Sequence, residues 1–220
     1  MDLDDDARRT GFFAAARTLG AAGPTEEVFQ GLLAAYAEPH RAYHAQSHID
    51  HCLTLLDEMR GALAQPDEVA IALWFHDVVY STQPGATNEA DSARIAVGAC
   101  HAMGISAAHT ARIDAMIRAT QTHALPPGVT DADVDFTTML DVDLSILGES
   151  PTTYAAFERD IRKEYAWVPE PLYLEGRAKV LRTFLERPRI YRTDALHARY
   201  DAQARTNLTA ALAALRGDAV

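Results

Sequence analysis

The sequence predicts an all-α protein. Apolar residues recur at three- and four-residue spacing along most of the chain, glycine and proline punctuate those stretches, and no Val/Ile/Thr alternation of the kind a half-buried strand needs interrupts them. Taken in order, a first helix is expected from about Asp5 to Leu19, burying Phe12, Phe13, Ala16 and Leu19 and ending at Gly20. A second begins after Pro24 and carries Val28, Phe29, Leu32, Leu33 and Tyr36 until Pro39. A third is capped by Ser47, with Ile49, Cys52, Leu53, Leu56 and Met59 at helical spacing until Gly61; a fourth opens at Pro66 and Asp67.

After Tyr80 the segment STQPGATNE has loop composition. Helices are then expected over Glu89 to Met103, closed by Gly104, over Ser106 to Thr122, and over Asp131 to Leu147, closed by Gly148. Three more, roughly 152–165, 172–186 and 194–215, complete the chain. The reading is about nine helices in a single domain spanning 1–220, with a core of about 29–150 and the C-terminal helices 151–220 packed on it.

Composition narrows the function. With 220 residues, 48% of them hydrophobic, the chain can bury a sizeable core. Lys and Arg number 20 against 31 Asp and Glu, a formal net charge of −11, which argues against a nucleic acid polymer as partner. Residues 152–199 reverse the balance, with ten basic and seven acidic side chains; there Arg159, Arg162, Lys163, Arg177 and Lys179 are candidates for a phosphate, with pairing to Glu158, Glu164 and Glu175 as the competing explanation. The two cysteines, Cys52 and Cys100, fall on apolar helical positions and read as buried thiols. The acidic start MDLDDDARRT is no secretion signal, and no apolar run approaches the length of a membrane span, so the expected location is cytoplasmic, with no membrane partner.

The chemistry concentrates in residues 43–80, which begin YHAQSHIDHCLTLLDEM and end ALWFHDVVY. His48 lies about one turn into the third helix; were that helix to reach back to Tyr43, His44, His48 and His51 would lie within about 60° of one another. His76 and Asp77 follow VAIALWF, a run apolar enough to be buried on all sides. An imidazole and a carboxylate next to such a run need a partner, because an unpaired buried charge is costly. A metal ion satisfies both. Together with an acid from MLDVDLSILG they would supply two imidazoles and two carboxylates, a donor set suited to Mn, Fe, Ni, Co, Zn or Mg.

This ordered set, His48, then His76-Asp77, then an aspartate in LDVDLSILG, resembles the HD superfamily of metal-dependent phosphohydrolases. The segments YHAQSHI, FHDVVY, NEADSA, MIRATQTH, LDVDLSILG, EYAWVP, GRAKVL and FLERPRIY look like a little-characterised bacterial subgroup of it, over nearly 29–215. The resemblance implies an HD-type helical bundle and hydrolysis of a phosphate ester or nucleotide. It implies metal binding by His48, His76, Asp77 and either Asp141 or Asp143. Those two acids point about 160° apart on a helix, so one site is not expected to use both. Asp143 lies in the middle of the apolar arc of Phe136, Leu140 and Leu147, whereas Asp141 lies at its edge, where a pocket mouth would be; that favours Asp141 slightly, and both stay candidates.

Relatives that hold two metals carry a histidine before a glutamate in the next helix. Here that place reads Asn88-Glu89, which argues against a second tightly held ion. Asp77, Glu89 and His123 are the candidates for orienting water and moving protons. Arg41 and Tyr43 flank the first motif as candidate substrate contacts, while His44, His51, His101, His109 and His197 read as structural. Competing functions are a non-catalytic helical metal-binding module and an HD-type iron oxygenase. A small phosphorylated substrate is expected, and monomer and homodimer are both open.

Overall fold

The computed structural model describes residues 3–217, which divide into two compact units, one up to Asp143 and one from Leu144. Among the described residues there are ten α-helices and no strand. The first unit contains α1 (Asp5–Thr18), α2 (Thr25–Tyr36), α3 (Gln46–Met59), α4 (Pro66–Phe75), α5 (Asn88–Met103), α6 (Ala107–Ala119) and α7 (Val134–Asp143). The second contains α8 (Pro151–Glu164), α9 (Glu170–Leu185) and α10 (Asp194–Leu215). No helix of the described residues is long and apolar enough to cross a membrane.

In the first unit α4 is the axis. Every residue from Val69 to Phe75 is buried, because the run has no polar face to present to water, and Glu68 before it is buried against His109 and Arg112. α1, α3, α5, α6 and α7 all pack against it. Phe12 of α1, Phe29 of α2 and Trp74 of α4 meet with ring centroids 5.6–5.7 Å apart. The Tyr36 hydroxyl donates to the Trp74 carbonyl at 2.9 Å, so even the polar tip of that side chain is satisfied inside the core. α5 and α6 form a helical hairpin: Gly104 takes the left-handed conformation (φ 85°) that ends α5, and the Ser106 side chain caps α6 by accepting from the His109 amide.

Two details of the motif region differ from the expectation. The N-cap of α3 is Ala45, so Ser47 lies inside the first turn instead of capping it, and Tyr43 and His44 precede the helix. What fixes this end is Asp50, a buried carboxylate that accepts from the Leu3 amide, from Gln46 Nε2 and from two nitrogens of Arg8, at 2.5 and 2.9 Å. α7 is also shorter than expected. It starts at Val134 and stops at Asp143, where the chain tightens into a 3-10 segment over Leu144–Gly148.

The second unit is built around that 3-10 segment. Asn207 of α10 donates its side-chain amide to the carbonyls of Leu147 and Glu149, and the Tyr191 hydroxyl donates to that of Leu144. Gly148 lies so close to α10 that a Cβ there would come within 2.5 Å of Tyr200 Cβ. The division between the two units falls at 143/144, and Phe12 of α1 and Phe29 of α2 are buried in the first. The basic surplus of 152–199 is largely spent locally: Arg177 pairs with Glu158, Lys163 with Asp160, and Arg162 caps the carbonyls of Tyr165 and Val168.

Asp50→Ala leaves Arg8, which is only 14% exposed, without its main partner. Removing one member of such a pair is expected to cost about 2–4 kcal/mol. Chemical denaturation followed by circular dichroism checks this, and a loss below about 0.5 kcal/mol would remove Asp50 from the account of how α3 is held.

Candidate metal centre

The site lies entirely in the first unit, where α3, the end of α4 and the end of α7 converge. His48 stands on the first turn of α3, His76 is the C-cap of α4 with Asp77 next to it, and Asp143 is the last residue of α7. The Nε2 atoms of His48 and His76 face each other at 3.1 Å. Asp77 Oδ2 is 2.9 Å from His76 Nε2 and 3.6 Å from His48 Nε2; Asp143 Oδ1 is 3.4 Å and 3.2 Å from the same atoms. The histidine side chains are 1–2% exposed and the carboxylates 13–16% exposed. The imidazoles thus form the floor and the acids the side nearer solvent.

These separations fit a cation. First-row divalent ions bind nitrogen and oxygen at about 2.0–2.2 Å, so neighbouring ligand atoms around one ion lie about 3.0 Å apart in an octahedron and about 3.4 Å apart in a tetrahedron. The separations of 3.1–3.4 Å among His48, His76 and Asp143 are those of such a shell, and Asp77 lies against the two histidines at 2.9 and 3.6 Å. His48, His76 and Asp143 form a group whose ligand atoms all lie within 4.8 Å of one another.

The ring nitrogens are also set for it. His76 Nδ1 lies 2.8 Å from the Leu73 carbonyl, which can only accept, so Nδ1 carries the proton and Nε2 presents a lone pair to the site. His48 Nδ1 is engaged by the Tyr43 hydroxyl at 3.0 Å, which leaves its Nε2 facing inward. Such outer partners orient a metal-binding imidazole and raise its basicity. Burial opposes charge on His76, but the carboxylates of Asp77 and Asp143 outweigh it and hold its pKa well above the ordinary value. Burial likewise raises both acids, and the neighbouring histidines overcome it, holding Asp77 and Asp143 below the usual carboxylate range. Cys52 Sγ lies 3.7 Å from His48 Nδ1, but burial and then the two acids push its pKa well up and keep it a neutral thiol.

The remaining sequence candidates take distinct places. Asp141 is buried and lies outside the group. The acid brought to the histidines is Asp143, which is partly exposed at the end of α7, whereas Asp141 is the more deeply buried of the two. His123 Nε2 donates to Asp143 Oδ2 at 2.9 Å. Glu89 is half-buried in the first turn of α5 and forms no hydrogen bond or ion pair among the described residues. Asn88 is spent on the loop, its amide exchanging two hydrogen bonds with the Ser81 backbone at 2.9 and 3.0 Å.

Arg41 is buried and structural. Its guanidinium donates to the carbonyls of His44, Asp77 and Val78 and to Glu38, between the rings of Tyr36 and Tyr80. It clamps the backbone immediately after the dyad. His44 is half-buried and stacks on Tyr80 at 4.1 Å. His109 binds Glu68, and His197 lies against Asp201. Tyr43 is the supporting residue that spacing did not reveal: it precedes the helix, so no periodicity links it to His48.

Manganese is expected to raise Tm, and EDTA to reverse the rise. Asp143→Asn should abolish that shift and Asp141→Asn retain it, as differential scanning fluorimetry would read; the opposite pattern would return the ligand role to Asp141. Tyr43→Phe should weaken manganese affinity about 10-fold by calorimetry, with the helical spectrum unchanged. Set against protein-family models, curated proteins and solved structures, the chain matches none of them.

Proposed function

We propose that the protein is a metal-dependent phosphohydrolase acting on a phosphate ester or nucleotide. The observation that carries the reading is the convergence of His48, His76 and Asp143, from three separated segments, at the spacing of one ion's ligand shell, with the Asp77 carboxylate against His76. The resemblance of YHAQSHI, FHDVVY and LDVDLSILG to the HD superfamily supports phosphoryl chemistry in particular. A divalent ion held there polarises a phosphoryl oxygen and lowers the pKa of a bound water. His48, His76 and Asp143 would hold it, with Asp77 beside His76 as a further candidate ligand. The two acids, on the more exposed side, orient the water that attacks phosphorus as the bond to the leaving oxygen breaks. Glu89, without a partner of its own, is the candidate for moving protons.

A structural metal module has a closed coordination sphere. The partial exposure of both carboxylates argues for an open one. An iron oxygenase of the two-metal kind needs a further ligand where Asn88 stands, and that side chain is committed to Ser81.

A turnover screen of phosphorylated metabolites with Mn, Co, Ni and Mg should yield metal-dependent phosphate release. His76→Ala or Asp77→Ala should abolish it while circular dichroism stays helical, and full activity in either variant would refute the assignment. Glu89→Gln should lower kcat by about 10²–10⁴ with manganese affinity unchanged; an unaltered kcat would remove Glu89 from proton transfer.

A further inference from the structure

We propose that His123 is a positioning residue that restricts Asp143 to one metal-facing oxygen and so keeps an additional coordination position open for water or substrate. The inference rests on the metal-site reading above and concerns how many positions that site leaves free. Asp143 is divided between two tasks. Its Oδ1 faces His48 and His76 at 3.2 and 3.4 Å, while its Oδ2 accepts from His123 Nε2 at 2.9 Å. A carboxylate held in this way offers one oxygen inward. With His48 and His76 each giving one atom as well, about half of the six positions around an octahedral ion would remain for Asp77, water or substrate. A chelating Asp143 would take one of them.

The backbone supplies an independent observation. His123 has φ 50°, the only positive φ at a non-glycine residue among the described residues. It closes the turn that follows α6, where glycine or asparagine would adopt the same conformation at less cost. A turn needing only its shape has no use for an imidazole there. The ring, however, reaches twenty positions along the chain to Asp143, across the gap between α6 and α7. Strain of this kind persists where the surrounding structure and the task of the side chain require it.

The test compares full-length wild type, His123→Gly and His123→Gln loaded with Mn²⁺. Calorimetry gives the dissociation constant, and electron spin-echo spectroscopy in ¹⁷O-enriched water gives the number of coordinated waters. His123→Gly removes the ring and relieves the backbone, so Tm should hold or rise while the ion loses one water and binding weakens about 10-fold. His123→Gln can still donate to Oδ2 and should recover the water in part. His123→Asn tolerates the same backbone but reaches less far, and makes the comparison if the glycine variant does not fold. An unchanged water count in the ring-less variant overturns the positioning role, whatever its affinity. A wild type that binds no Mn²⁺ overturns the metal site itself, and the two failures are thereby distinct.

Discussion

Two imidazole nitrogens face each other at 3.1 Å, each beside a carboxylate. His76 donates its Nδ1 proton to the Leu73 carbonyl, so in the neutral ring its Nε2 brings only a lone pair. Two acids held ionised lie against these rings in a place where the imidazoles are almost fully buried. Such an arrangement needs positive charge, whether a proton or a metal ion. The raised pKa of His76 is the protein's response when a proton supplies it, and the cation-sized spacing of the donors is the reason to expect a metal.

The rest of the first unit holds this arrangement against its own cost. From Val69 to Phe75 α4 is apolar on every face, so it is fixed by the helices around it and delivers His76 and Asp77 at a determined depth. Arg41 then pins the backbone beyond it through the carbonyls of Asp77 and Val78. Asp50 ties the first turn of α3, and hence His48, to Arg8 and the Leu3 amide. Ser92 and Asn88 do the same for residues 79 and 81 as the chain leaves the site. Each anchor is a buried or partly buried polar group with its partners present, which is what allows a polar centre to persist among apolar helices.

What could be read in advance followed from short-range rules. The helices were visible in apolar spacing and in Gly104, Pro24, Pro66 and Ser106 at their ends, and the unbroken run before His76 announced a buried element with an unexplained imidazole at its tip. The choice between Asp141 and Asp143 was not visible. Periodicity gives the buried arc of a helix, but whether a site opens at the arc's edge or within it depends on the neighbouring elements. Tyr43 and His123 stand among the site candidates of the sequence, but their contacts with His48 and Asp143 could not be read for a related reason: one acts from outside the helix it supports, and the other meets Asp143 only because α6 and α7 pack together. The start of α3 was misplaced by one cap because Ser47 has the right chemistry and Asp50, which actually anchors that end, works through partners distant in sequence.

The central proposal is that His48, His76 and Asp143 share one ion, and anomalous diffraction from crystals grown with Mn²⁺ tests it most directly. The account predicts a single strong peak about 2.0–2.2 Å from His48 Nε2, His76 Nε2 and Asp143 Oδ1. A peak elsewhere, or none at this place in metal-saturated crystals, would contradict it.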